Sequence, residues 1–317
     1  MTHPRVSVVI PTYNRAKTLA RAIQSVLAQS FSDLELIVVD DLSTDQTSEV
    51  VASFTDPRVR YLPSKERLGV SRARNLGVSH ARGDLIAFQD SDDEWRVEKL
   101  AKQVQCFDTS GPDVVLVLCG DLFVNCYEMS YLGIASDDSI VDVTEMAVLR
   151  LPPAPCWLVS KSALDKTGGF DDQIYCYEDW ELAMRLTERQ GRIKLVNEPL
   201  TLRQRTPNSL AATEQNFIPN LKRILRLHEQ RVRSHPIAWA MYCNVLGQTE
   251  CQYGSPLEGR KWFRQALTAR PTSVRTWTNL VLSFLGRGVF SSYVRSARYL
   301  RSRFSTQVRP ALYTGRS

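Results

Sequence analysis

The feature that most constrains this chain is an alternation of two hydrophobic periods over its first hundred residues. Val6-Ser-Val-Val-Ile10 is a continuous run rich in β-branched residues, the pattern of a strand buried on both faces. After Asn14 the apolar positions become Leu19, Ala22, Ile23, Val26 and Leu27, a helical spacing, with Arg15, Lys17, Arg21 and Gln24 on the wet side. Leu34–Asp40 predicts a second buried strand, and Ser43 or Thr44 the cap of a helix carrying Val50, Val51 and Phe54. Residues 59–62, 71–81 and 85–88 predict a third strand, a third helix and a fourth strand. Connections this short predict an α/β fold with a mostly parallel sheet and right-handed crossovers.

Beyond residue 95 a helix over 97–107 and a strand over 114–119 are expected, with 121–150 ambiguous. A loop at Pro152-Pro-Ala-Pro155, a strand over 157–160 and a short helix ending at Gly168-Gly169 follow. Residues 178–190 read as a helix, and 193–196 and 200–203 as short strands. From about 217 the chain reads as helical. Segments 238–254, 257–269 and 274–285 resemble a tetratricopeptide-like hairpin of about one and a half repeats, where about three are needed to stand alone. A helical appendage is therefore expected. Over 290–304, Phe290, Val294, Ala297, Leu300 and Phe304 share a face edged by Arg295, Arg298, Arg301 and Arg303.

Charge divides the chain at the same place. Residues 1–216 carry 23 Lys and Arg against 31 Asp and Glu; residues 217–317 carry 17 against three, and no acidic residue follows Glu258. This predicts two regions, 1–216 and 217–317, the second facing an anionic partner. With 43% hydrophobic and 23% charged residues the composition is that of a folded chain. No apolar run is long enough to span a bilayer, and 6–10 is too short for a leader, so a cytoplasmic protein is expected. Seven scattered cysteines, without a C-x-x-C pair, fit reduced thiols and no zinc site.

In a parallel sheet, ligands bind beyond the carboxyl ends of the strands. Pro11-Thr-Tyr-Asn14, Asp40-Asp41 and Asp90-Ser91-Asp92-Asp-Glu-Trp95 all stand there. Two carboxylates at i and i+2 on a loop can converge on one hard cation that also holds a phosphate, which makes Asp90 and Asp92 candidate metal ligands. Asp40 or Asp41 can accept hydrogen bonds from a base or ribose, or merely cap the next helix. The first turn lacks G-x-G-x-x-G, so a dinucleotide has little support. Gly69-Val-Ser-Arg-Ala-Arg74-Asn75-Leu-Gly77 opens a helix whose Arg72 and Arg74 suit a diphosphate; the plainer reading is a solvated basic face. Glu178-Asp179 begins another helix, where the dipole keeps a carboxylate ionised and suited to act as a base.

Read in order, Val6-Ser-Val-Val-Ile-Pro-Thr-Tyr-Asn14, Asp40-Asp41-Leu-Ser-Thr-Asp45, Gly69 to Gly77, Asp90 to Trp95, Gly168-Gly-Phe-Asp171 and Glu178-Asp179 resemble the family 2 glycosyltransferases over roughly residues 4–205. The resemblance implies the GT-A fold, a nucleoside-diphosphate sugar donor (usually a UDP-sugar), a divalent cation (Mn²⁺ or Mg²⁺) and inversion at the anomeric carbon. By position it implies that Pro11, Thr12, Tyr13 and Asp41 cradle the base, with Asp40 also binding the donor. Arg74 and Asn75 would approach ribose or phosphate, Asp90 and Ser91 would contact the donor, Asp90 and Asp92 would hold the metal, and Asp179 would be the catalytic base. Leu42 departs from the pattern, which commonly has Gly after the Asp pair. No Q-x-x-R-W is present, which predicts one sugar per encounter rather than polymer extrusion.

The expected acceptor is a hydroxyl of a glycan or lipid-linked saccharide in cell-surface polysaccharide synthesis, contacted from 121–177 and the C-terminal part. The 290–304 stripe would then touch the membrane surface, or else dock on the rest of the chain. Nucleic acid is not an expected partner. A glycoside hydrolase would need neither nucleotide nor, usually, metal. A catalytically silent nucleotide-sugar-binding module would bind the donor without turnover, and a nucleotidyl transferase would release pyrophosphate.

Overall fold

Among the described residues nine strands form one mixed sheet: β1 (Val6–Thr12), β2 (Leu34–Asp40), β3 (Val59–Pro63), β4 (Leu85–Phe88), β5 (Glu94–Trp95), β6 (Val114–Phe123), β7 (Glu128–Ser130), β8 (Trp157–Ser160) and β9 (Arg192–Arg203). They stand in the order β3-β2-β1-β4-β8-β6-β9-β5, with β7 beside β6. The computed structural model describes residues 3–124, 128–130, 151–188, 191–204 and 217–305. The first four strands in this order are parallel, with Val8 of β1 opposite both Leu36 of β2 and Ala87 of β4. Strand β8 is antiparallel between β4 and β6, and β9 runs parallel to β6.

Alternate residues of each strand point to opposite faces. Val6, Val8 and Ile10 of β1, with Leu36 and Val38, pack on α1 (Ala16–Leu27), through Leu19, Ala22, Ile23 and Val26, and on α4 (Lys99–Asp108), through Leu100 and Val104. Val9, Ile37, Val39, Ile86 and Phe88 face the other way, toward Ala73 and Val78 of α3 (Val70–Ser79), Leu164 of α5 (Lys161–Thr167) and Trp180 and Leu182 of α6 (Glu178–Leu186). An unbroken apolar strand is the consequence of covering both faces.

Five helices complete the described chain: α7 (Phe217–Arg233), α8 (Pro236–Tyr253), α9 (Pro256–Ala269), α10 (Val274–Leu282) and α11 (Arg287–Ser305). Leu221, Ile224 and Leu225 of α7 and Trp239, Tyr242 and Leu246 of α8 belong to the same hydrophobic cluster as Trp180, whose ring lies 5.4 Å from that of Tyr242. Hydrophobic contacts thus cross the place where the charge changes sign.

Several elements differ from expectation for identifiable reasons. Neither Ser43 nor Thr44 caps α2 (Thr47–Ala52); the Asp45 carboxylate accepts from the Thr47 N–H at 3.1 Å instead, because Ser43 and Thr44 are bound to Asn14. The two short strands after Gly191 are one strand, β9, which follows β6 through register shifts at Gly120. Helix α10 ends at Leu282 rather than 285, and α6 at Leu186 rather than 190. In α11, Phe290 and Val294 are buried beside Cys251 and Phe263, so the N-terminal half of the 290–304 stripe docks on the protein. The side chains of Leu300 and Phe304 lie outside the described residues, as does most of the ambiguous 121–150 segment.

Candidate active site

The loops leaving β1 and β2 interlock. Asn14 Oδ1 accepts from the Thr44 N–H at 2.8 Å, the Asn14 N–H donates to Ser43 Oγ at 2.9 Å, and Asp45 Oδ2 accepts from the Ala16 N–H at 3.1 Å. Two side chains here have left-handed backbone, Asn14 (φ 50°) and Leu42 (φ 65°). Asn tolerates this; for Leu it costs about 1–2 kcal/mol that Gly would not incur. The unexpected Leu42 is therefore strained, and its side chain is exposed.

Within this frame the residues expected to bind the donor do different things. Thr12 is buried, and its hydroxyl has no hydrogen-bond partner. Pro11 is half-buried, while Tyr13 is exposed with the Arg67 guanidinium 3.4 Å from its ring centre. Asp40 is buried and caps the turn, accepting from the Ser43 N–H at 2.9 Å and the Tyr61 hydroxyl at 2.5 Å. Burial, and then the Asp40 carboxylate, push the Tyr61 hydroxyl above its usual range. Asp41 accepts from Arg67 and from the Leu68 and Gly69 N–H groups, fixing the loop that opens α3. Sequence reasoning missed Arg67.

The acidic loop after β4 is held from three sides. The buried Arg74 of α3 donates from Nη2 to Asp90 Oδ1 at 3.0 Å and from Nη1 to Glu178 Oε1 at 2.8 Å. Burial alone would lower its pKa, but Asp90, Glu178 and Asp179 hold it raised, so it stays a cation. Ser91 is buried; Asp92 is half-buried, 3.7 Å from Arg15 Nη2, and its carbonyl accepts from Arg21 at 2.9 Å. Asp93, deeper still, accepts from the Gln204 N–H at 3.0 Å and faces Arg203, which also binds buried Asp121 at 3.2 Å. Burial and the nearby Asp90 push its carboxyl up to about 8. Arg203 was also missed, although it ends β9 and the carboxyl-edge rule applied to that strand would have found it.

Asp179 stands in the first turn of α6, and its Oδ1 accepts from the Trp180 N–H at 2.7 Å. The dipole argument predicts a carboxylate kept ionised, yet burial wins and raises its pKa; Arg74 and the Trp180 and Ala154 N–H groups counter only part of this. Glu178 is pushed up to about 7, by burial first and then by Asp179. The segment leading into α6 is pinned by α7: Asp171 binds Arg223 at 2.9 Å, the Tyr175 N–H donates to Asn220 Oδ1 at 3.1 Å, and the Tyr177 and Phe217 rings lie 5.5 Å apart. Asn75 is used in the same scaffold. Its amide group donates to the Phe170 carbonyl at 2.8 Å and accepts from the Phe170 N–H at 2.9 Å, so it clamps this loop. Gly169 (φ 71°) permits the clamp, since a Cβ there would stand 2.4 Å from Asn75 Oδ1.

Arg74 therefore joins the loop after β4 to the first turn of α6 and makes one acidic cleft of the two. Among the described residues no group of three or more His, Cys, Asp or Glu could hold a metal. Asp90 and Asp92 supply hard carboxylate oxygens, a donor set that suits a divalent cation completed by phosphate oxygens and water.

A model of the glycosyl transferase family 2 domain matches residues 7–168. The chain is 42% identical over 113 residues to the succinoglycan biosynthesis protein ExoO of Rhizobium meliloti, spanning 36% of this chain and about a third (32%) of that protein. It is 31% identical over 229 residues to the glycosyltransferase GlyG of Streptococcus pneumoniae, covering 66% of this chain and 73% of GlyG. Two solved structures share the fold: TarS of S. aureus in complex with UDP-GlcNAc (TM-score 0.59, 18% identity, 92% of both chains) and the mannosyltransferase PcManGT of Pyrobaculum calidifontis in complex with GDP-Man and Mn²⁺ (TM-score 0.61, 17% identity, 100% of this chain and 89% of that one).

Proposed function

The chain belongs to glycosyl transferase family 2, and on that premise we propose that it moves one sugar from a nucleoside-diphosphate sugar, a UDP-sugar by our reading, to a hydroxyl of a glycan or lipid-linked acceptor in polysaccharide synthesis, with inversion at the anomeric carbon. The observation that carries this reading is Arg74, which binds Asp90 and Glu178 at once and so couples a donor-side carboxylate to the helix turn that bears Asp179. The ligands of TarS and PcManGT support a nucleotide-sugar donor, and the Mn²⁺ of PcManGT supports a cation.

In this proposal Tyr13, Thr12 and Pro11 border the base, with Arg67 moving off the Tyr13 ring to admit it. Asp90 and Asp92 hold a divalent cation, Mn²⁺ or Mg²⁺, which when bound supplies charge neutralisation for the diphosphate leaving group. Asp179 accepts the proton of the acceptor hydroxyl as that oxygen forms its bond to the anomeric carbon. The bond to the diphosphate breaks on the opposite side, which inverts the configuration. The raised pKa of Asp179 suits this, since a base is most effective when its pKa approaches the working pH. The cation Arg74 keeps Asp90 and Glu178 from repelling one another across the cleft.

The test is release of nucleoside diphosphate from a panel of nucleotide sugars, with and without Mn²⁺, followed by the anomeric configuration of the transferred sugar. Metal-dependent release with inversion is expected. Retained configuration would overturn the assignment of Asp179, and binding without turnover of any donor would make the chain a silent module.

A further inference from the structure

Helix α10 carries apolar side chains on its outer face as well as its inner one. Its inward face carries neutral polar groups beside apolar ones: Thr276 and Asn279 are buried, as is Ser283 just after its end, Asn279 Nδ2 donates to Asn244 Oδ1 of α8 at 2.9 Å, and half-buried Leu280 and Leu282 pack beside Phe263 and Phe290. Its outward face is apolar. Val274 is 77% exposed, Trp277 51% and Val281 59%, and the turn that follows adds Phe284 at 60% and Leu285 at 58%. Spacings of three and four place Val274, Trp277 and Val281 on one helical stripe, and Phe284 and Leu285 carry the apolar surface on into the turn after Leu282. A soluble surface scatters its exposed apolar residues singly; a contiguous stripe marks a contact.

The charge around the stripe selects the partner. Between residues 256 and 297 lie seven Lys and Arg and a single acid, Glu258. The Arg260 guanidinium lies 4.5 Å from the centre of the exposed Phe284 ring, and Arg287 borders the same turn. A second copy meeting this face across a twofold axis would bring two such basic surfaces together, at a cost in repulsion. An apolar stripe with an exposed Trp and an arginine border fits a lipid–water interface, with ring and aliphatic groups among the acyl chains and cations at anionic headgroups. No described helix is long and apolar enough to cross a membrane, so the contact is with a surface.

We infer that the outer face of α10 and the turn after it form a docking surface for an anionic lipid bilayer. The sequence expectation offered 290–304 either for the membrane or for docking on the chain, and there Phe290 and Val294 are turned inward. It stands apart from the proposed reaction, because α10 contributes no residue to the acidic cleft.

The experiment is co-sedimentation of the full chain, without donor or acceptor, with vesicles of phosphatidylcholine alone or mixed equally with phosphatidylglycerol. Binding is expected to the mixed vesicles only and to weaken with salt. The double substitution Val281→Glu with Leu285→Glu should lower partitioning more than roughly tenfold, and Arg287→Gln roughly fivefold. The melting temperature of both variants should stay that of the parent. No binding to mixed vesicles at low salt, or binding unchanged in the double variant, would overturn the inference. So would light scattering that finds a dimer which the double variant dissociates, since the stripe would then seat a second copy.

Discussion

The acidic cleft and the outer face of α10 arrange polar groups in opposite ways. In the cleft, charges are carried inward and matched: Arg74 is 4% exposed and bound to two carboxylates, while Arg203 faces Asp93 and Asp121. On α10 the buried polar side chains are neutral, and Val274, Trp277 and Val281 face solvent while only Leu280 and Leu282 of its apolar residues pack inward. Buried charge is costly without a partner, so the first arrangement persists where chemistry requires it. Exposed apolar area costs little in folding stability but invites association. The two regions should therefore respond differently to substitution.

The largest effect is expected from Asp179→Asn. Loss of the base should lower turnover by about 10²–10⁴ while leaving donor affinity near normal, as read from single-turnover rates and calorimetry. Equal turnover would remove Asp179 from the mechanism and reduce the cleft to a structural ion cluster. Arg74→Gln comes next, with a loss of about 3–5 kcal/mol in denaturant unfolding because Asp90 and Glu178 lose their common cation. It should also move the acid limb of the rate profile. Burial already raises Asp179, and Glu178 lies at about 7, so activity should rise with pH above the ordinary carboxylate range. Removing the cation disfavours the ionised forms, so the limb shifts to still higher pH.

Gly169→Ala should cost about 1–3 kcal/mol, since its backbone is left-handed and the new Cβ meets the Asn75 amide. Leu42→Gly has the opposite sign, a gain of about 1 kcal/mol in thermal or denaturant unfolding from relieved strain. Smallest of all is the effect of Val281→Glu with Leu285→Glu on stability, expected within about 0.5 kcal/mol per site because neither side chain is buried. A large loss there would mean that α10 is held by its outer face, and the contrast between the regions would fail.

Much of the sheet was legible because its signal is local. Strands β2, β4 and β8 occupy the spans expected of them, as β4 and β8 are unbroken apolar runs closed by a polar or helix-starting residue and β2 is one interrupted only by Glu35. Strand β9 was not legible as one strand, because its continuity depends on how β6 bulges beside it. The cap of α2 was misread because Ser43, Thr44 and Asp45 have similar local capping ability; Asn14, thirty residues away, takes the first two. Asp90, Asp92 and Asp179 could be nominated from their places after a strand and at a helix start. Arg67 on Tyr13, Asn75 on Phe170 and Arg203 on Asp121 could not be read from spacing, since each partner comes from a distant element.

By itself, then, the sequence determined an α/β chain with a mostly parallel sheet, acidic loops along its carboxyl edge, membership of a glycosyltransferase family and a basic helical end. Periodicity and motif order are properties of short stretches, and these survive whatever packs around them. The tertiary structure decided which face of each C-terminal helix is covered, which carboxylates share Arg74, and that burial overrides the helix dipole at Asp179. Those outcomes depend on desolvation and on partners brought from far along the chain, and no short stretch of residues contains either.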